Sequence, residues 1–130
     1  MINTIKITKY IRSFLIANQQ LTGLVPAKNI FPIVALQNTK FPFITMQKTG
    51  LIARYTKDFH EEDVITYEVI TVSDDYSKSI DIATLIRDTL ECKHYQSEEI
   101  TIYSIKLESV QEEYAEGAYI QRLAFVINAA

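Results

Sequence analysis

"VITYEVITVSDDYSKSIDIATLIRDTLEC", residues 64–92, holds two different hydrophobic periods in one stretch. Its first ten residues, 64–73, are rich in β-branched and aromatic side chains and predict a strand. "DDYSKS" then supplies several helix-capping residues. In the "IDIATLIRDTLEC" that follows, Ile82, Leu85, Ile86 and Leu90 form an apolar stripe, while Asp81, Asp88 and Glu91 lie mostly elsewhere. That spacing predicts an amphipathic helix. A strand running directly into a helix makes this an α+β chain.

Towards the N-terminus, Gly50 to Asp63 reads as a polar, charged connection, a long hairpin loop or ragged strand ends. Before it, "FPFITMQKT" (41–49) reads as a strand, with Pro42 tolerated near its start or on an edge. "NIFPIVALQNTKFP" (29–42) is a connecting segment whose apolar content predicts that it lies against the body. From residue 4 to about 18, Ile7, Tyr10, Ile11, Phe14 and Leu15 recur at helical spacing, with Lys6, Lys9 and Arg12 towards water. "QQLTGLVP" is expected to end that helix, Gly23 taking a left-handed cap and Pro26 blocking continuation.

Towards the C-terminus, "EITIYSIKLESV" (99–110) predicts a third strand whose apolar phase slips between Ile102 and Ile105, the mark of a bulge. "QEEYAEG" (111–117) reads as an acidic, turn-rich link. "AYIQRLAFVI" (118–127) alternates cleanly, placing Tyr119, Gln121, Leu123, Phe125 and Ile127 on one face. The resulting order is α-β-β-α-β-β. It predicts an antiparallel sheet of about four strands with two helices packed on one face, in a single domain spanning residues 1–130.

Composition bounds the function. A chain of 130 residues with 48% hydrophobic and 22% charged residues suits one globular domain. Cys92 is the lone cysteine, so no intramolecular disulfide forms and the core must hold the fold. Apolar runs such as "LAFVI" (123–127) are too short to span a bilayer, and the N-terminus lacks an unbroken apolar signal stretch. Neither membrane insertion nor secretion is expected.

Charge is divided along the chain. Before Asp58 there are eight Lys or Arg and no acid; from Asp58 onward sixteen acids face five bases, so +8 and −11 give the net −3. One explanation lies within the subunit, a basic first helix beside an acidic second one. The other lies between subunits, the basic flank of one copy meeting the acidic flank of the next, head to tail. The residues expected at such a contact are Arg54, Lys57 and Asp58 on one side, and Glu112, Glu113 and Tyr114 on the other.

No constellation demands catalysis. His60 among Asp58, Glu61, Glu62 and Asp63 has no second histidine at ligand spacing, and a solvated acidic loop explains it. Cys92 and His94 sit two apart at a helix end, where a buried free cysteine is the ordinary reading. Asp63 with Glu68, or Asp74 with Asp75, resembles a nuclease's paired carboxylates, but no lysine follows Glu68 at strand spacing; helix capping accounts for the second pair. Three scattered glycines exclude a phosphate loop. Lys6, Lys9 and Arg12 are too small a patch for sequence-specific nucleic-acid binding at this net charge.

The order of these phrases resembles the tail-completion, or tail-terminator, proteins of long-tailed bacteriophages and prophages. The resemblance is carried by "NIFP" (29–32), "FPFITMQ" (41–47), "YSKSIDIATLIRDTL" (76–90), "ITIYSIKLESVQEEY" (100–114) and "YIQRLAFVI" (119–127). It spans nearly the whole chain. It implies a protomer that closes into a ring, six-fold in that family, at the head-proximal end of the tail. Such a ring stops tail-tube growth and joins the tube to the head connector. The implied partners are further copies of the chain, the tail tube protein and the head–tail connector. The implied setting is the bacterial host cytoplasm during assembly, then the virion tail. The resemblance implies no catalysis and no cofactor, and it does not identify the ring contacts. An acidic or neutral lumen would let DNA pass without holding its phosphates. A reading from another class is a small phage-encoded nucleic-acid-processing enzyme.

Overall fold

A computed structural model describes residues 3–57 and 60–130. The polypeptide forms one curled, six-stranded mixed sheet with three α-helices. The strands are β1 (Ile30–Pro32), β2 (Phe43–Tyr55), β3 (His60–Ser73), β4 (Tyr95–Gln96), β5 (Thr101–Ala115) and β6 (Ala118–Ala129), in the spatial order β1-β2-β3-β6-β5-β4. The helices are α1 (Ile7–Ala17), α2 (Gln19–Leu24) and α3 (Tyr76–Leu90).

This corrects the expected four-stranded antiparallel sheet with two helices. β1 pairs with β2 in parallel, and β4 adds an edge beside β5. Both are too short to show any period, and Pro32, which has no N–H to give, closes the edge strand. The third helix comes from Asn18. Its backbone leaves the helical region and its side chain accepts from the Gln20 and Leu21 N–H groups, so "QQLTGL" starts a new helix instead of ending the old one. Gly23 lies inside α2 rather than in a left-handed cap.

The central elements follow their sequence periods. Ile7, Tyr10, Ile11, Phe14 and Leu15 of α1 are buried, as are Ile82, Ile86 and Leu90 of α3. In β3 the odd residues Ile65, Tyr67 and Val69 face the helices, opposite Ile127, Phe125 and Leu123 of β6. Val64, Glu68, Ile70 and Val72 turn to the sheet's other face, which no helix among the described residues covers. Tyr67 and Phe125 are the largest fully buried side chains. The Tyr67 hydroxyl donates to Thr8 Oγ1 at 3.0 Å, and burial pushes its pKa up to about 12.

Capping and bulges shape the rest. Asp75 caps α3, its carboxylate accepting from the Ser77 and Lys78 N–H groups at 3.0 and 3.4 Å. The expected slip in β5 is present, between Ile102 and Ser104, with a second between Leu107 and Ser109; β2 breaks register between Lys48 and Gly50. Each inserted residue bends its strand. The "QEEYAEG" link is corrected: β5 runs on to Ala115, and only Glu116 and Gly117, both at positive φ, make the turn into β6. Likewise much of 50–63 is strand, Gly50 to Tyr55 pairing with His60 to Thr66; Asp58 and Phe59 lie outside the described residues. The 29–42 segment lies against the body only in part: Ile30 and Pro42 are buried and the Ile33 N–H donates to the Met46 carbonyl at 2.8 Å, but several apolar side chains between them are exposed. Ile33, Val34 and Leu36 are 69%, 69% and 72% exposed, and Ile33 adopts a left-handed φ of 66° that is costly for a β-branched side chain.

Candidate functional site

The two long hairpins point in opposite directions. In the β3–β6 ladder Asp63 stands opposite Ala129 and Ser73 opposite Tyr119. The β2–β3 turn is therefore at one end of the sheet and the β5–β6 turn at the other. Ten strand steps separate those two register positions, about 33 Å at 3.3 Å per residue. Arg54 and Lys57 belong to the first end; Glu112, Glu113 and Tyr114 belong to the second. Asp58 lies outside the described residues, and only the backbone of His60 is described. The sequence grouped these residues as two flanks of one contact, and within one subunit they are too far apart to meet.

Among the described residues, ion pairing inside the subunit does not run between the helices either. Lys6 and Lys9 reach Glu99, in the turn between β4 and β5, at 3.0 and 3.9 Å. The Tyr10 hydroxyl donates to the same carboxylate at 2.7 Å. That hydrogen bond first, and Lys6 second, hold the Glu99 carboxyl below the ordinary range, while Glu99 pushes the Tyr10 hydroxyl up. Arg54 pairs with Glu62 across its own hairpin at 3.5 Å.

The β5–β6 end carries a pocket of about 250 Å³, lined by Tyr76, Glu112, Glu113, Tyr114, Tyr119 and Gln121. Strand alternation builds it. Glu112 and Tyr114 stand opposite Gln121 and Tyr119 on the helix side, where the first turn of α3 brings Tyr76 alongside. The Tyr119 ring packs against Tyr76 at 5.6 Å and against Tyr114 at 4.9 Å between centroids. Glu112 is held from two directions. The Tyr76 hydroxyl donates to it at 3.1 Å, and Gln121 Nε2 donates at 2.9 Å. The bond to Glu112 is also the main cause of the raised Tyr76 pKa. Gln121 is buried and its amide also reaches Ser79 Oγ at 3.3 Å, so the pocket has a polar floor. On the bare face, Glu113 pairs with Arg122 at 2.7 Å, and Arg122 reaches Glu68 at 3.8 Å.

The sequence reading missed Tyr76, Tyr119 and Gln121. Their signal was available in part: once Glu116–Gly117 is taken as a two-residue turn, Tyr114 and Tyr119 become cross-strand neighbours. Tyr76 reaches them only through the packing of α3.

The carboxylate pairs considered for metal binding come apart. Asp63 is buried on the helix side, where it accepts from the Thr4 hydroxyl, whereas Glu68 faces the bare side with Arg122. Asp75 is engaged as a cap. Among the described residues there is no group of three or more His, Cys, Asp or Glu side chains placed to hold a metal ion. Cys92, expected to be buried, is exposed at a left-handed φ of 64° just past α3, and His94 beside it is exposed too. No helix among the described residues is long and apolar enough to cross a membrane.

No protein-family model matches the sequence, and no curated protein does. The fold does have solved counterparts. One is a chain of the virion of a native gene transfer agent particle, with TM-score 0.80 and 12% identity over 92% of this chain and 90% of that one. A second solved chain superposes with TM-score 0.68 and 13% identity, covering all of this chain and 97% of its own length. At such identities the likeness is one of fold, and it extends from end to end.

Proposed function

We propose that this chain is a structural subunit of a phage or phage-like virion. More finely, it is a tail-completion protein that closes into a ring at the head-proximal end of the tail. There it ends the tube and joins it to the head connector. The observation that carries the reading is the end-to-end fold likeness to a virion chain, TM-score 0.80 with nine-tenths of both chains superposed. The phrases that resemble tail-completion proteins, spread over nearly the whole chain, supply the finer assignment.

The architecture suits such assembly. Two chemically different ends, facing opposite ways, make a heterologous contact, and heterologous contacts close into rings when the rotation per subunit allows. Exposed apolar side chains on the 33–41 segment offer a further surface to the tube or the connector. The protein acts in the host cytoplasm during assembly and remains in the tail.

The test is location and shape together. Purified protein, alone or added to tail tubes, is expected to give closed rings by negative-stain microscopy. Antibody against it is expected to label the head-proximal tail end of particles. Label confined to the head, the fibres or the distal tip would overturn the assignment.

A further inference from the structure

We infer that the Tyr76–Tyr114–Tyr119–Glu112 pocket receives a cationic side chain from a second copy of this chain, Lys57 at the β2–β3 turn, with Arg54 beside it. The inference rests on the ring reading above and names the contact that would build the ring.

Size is the first argument. About 250 Å³ falls below the roughly 300–1,000 Å³ of pockets for drug-sized ligands, and fits one long side chain better than a metabolite. Chemistry is the second. Three tyrosine rings line it, and a cation over the face of such a ring is attracted by its electron-rich surface. Glu112 adds a full negative charge, already oriented by Tyr76 and by the buried Gln121. Beside it, Glu113 and Glu116 are exposed, and Arg122 is occupied by Glu113 and Glu68 on the other face. The site is thus a fixed anionic aromatic box, with Tyr114 62% exposed at its rim.

Geometry is the third. The opposite end of the sheet carries Arg54 and Lys57, which cannot fold back to the box of their own subunit. Glu61 and Glu62 also stand at that end, and Glu62 engages Arg54 at 3.5 Å. Lys57, in the turn itself, is therefore the side chain best placed to enter. Tyr55, 70% exposed on the same hairpin, gives the insertion an apolar shoulder.

Sedimentation equilibrium and native mass spectrometry of the full chain, alone and with tail tubes, test this. Lys57→Glu and Glu112→Lys are each expected to weaken self-association about tenfold or more. The two single variants mixed together, and the double variant in one chain, are expected to recover most of it, because either arrangement restores opposite charges at head-to-tail contacts. Tyr114→Leu, which removes an exposed ring without touching the core, is expected to weaken association while leaving the thermal unfolding curve unchanged. That variant and Lys57→Glu carry the test if Glu112→Lys unfolds. If the wild type associates and neither of these two variants weakens it, the pocket is not the contact, while the ring reading stands. If the wild type forms no oligomer at any concentration, with or without tubes, both fall.

Discussion

The two hairpins begin from the same core and end in different chemistry. β2–β3 and β5–β6 meet at the centre of the sheet, where β3 pairs with β6. Each carries at least one bulge. Their outer ends differ in what supports them. The β2–β3 end has a cross-strand pair, Arg54–Glu62, and exposed Ile52 and Tyr55. The β5–β6 end is backed by the first turn of α3, which turns exposed tyrosines and a carboxylate into a pocket with a buried polar floor. A hairpin end alone offers side chains to a partner, whereas a hairpin end braced by a helix offers a shaped receptor. That asymmetry suits the head-to-tail contact proposed above.

The largest expected effect tests whether the hairpins really share one root. Phe125→Ala removes a fully buried ring opposite Tyr67, at the seam between them. A loss of roughly 3–5 kcal/mol is expected for such a cavity. Urea unfolding should stay a single transition with a lower midpoint. Two separated transitions would mean that the hairpins are independent units, and the comparison would have to be redrawn.

Next comes the brace. Asp75→Ala deletes the cap of α3 and is expected to cost about 1 kcal/mol. Its local signature matters more. Amide exchange should quicken in 76–80 and in 110–114, while 50–55 keeps its protection. Uniform quickening at both ends would show that α3 does not selectively support the pocket.

The central elements, though not the strand number or the sheet type, were legible in the sequence, and the limits have physical causes. Where strands and helices share a core, one face is apolar and the period is visible: α1, β3, α3 and β6 were read from that alone, and so was the bulge after Ile102. Where a strand leaves the core, both its faces meet water and the alternation disappears. Residues 111–117, exposed throughout, therefore looked like a link, although most of them are strand. β1 and β4 carry too few residues for any period, and Asn18 looked like the approach to a helix end rather than a new cap. The charge division singled out Arg54, Lys57, Glu112 and Glu113 as two flanks. It could not show that they occupy opposite ends, because that follows from β3 pairing with β6 across the whole sheet. Tyr76 joins the pocket through tertiary packing, for which a local pattern leaves no trace.

A smaller effect is expected from acid. Glu99 ties the start of β5 to α1, and its folded pKa lies below the unfolded one, chiefly through the Tyr10 hydroxyl. The stability it contributes is therefore present above the ordinary carboxylate pKa and is lost as pH falls through the depressed folded value. Glu99→Gln should melt below the wild type at pH 7, and the gap should close as the pH falls below the ordinary carboxylate range. A gap that stays constant with pH would mean that shape, not charge, makes the contribution. Tyr10 works in the opposite sense. Its raised pKa makes its share full below the ordinary tyrosine value, and that share is lost as pH rises through the folded one.

The smallest effect separates stability from assembly. Arg54→Ala removes a pair whose side chains are 60% and 22% exposed and 3.5 Å apart. Exposed pairs of this kind contribute about 0–1 kcal/mol, because water screens the charges and two long side chains must be ordered to meet. Thermal unfolding of the monomer should hardly move. The same change also frees Glu62, which adds an unpaired negative charge to the end that carries Lys57. If that end is the part inserted into a neighbour, association should weaken even though the fold is untouched, and the weakening should shrink as salt is raised. A stability loss as large as that of Asp75→Ala would instead place Arg54 among the supports of the fold. The β2–β3 end would then be braced in its own way, and the contrast between an open arm and a supported receptor would no longer hold.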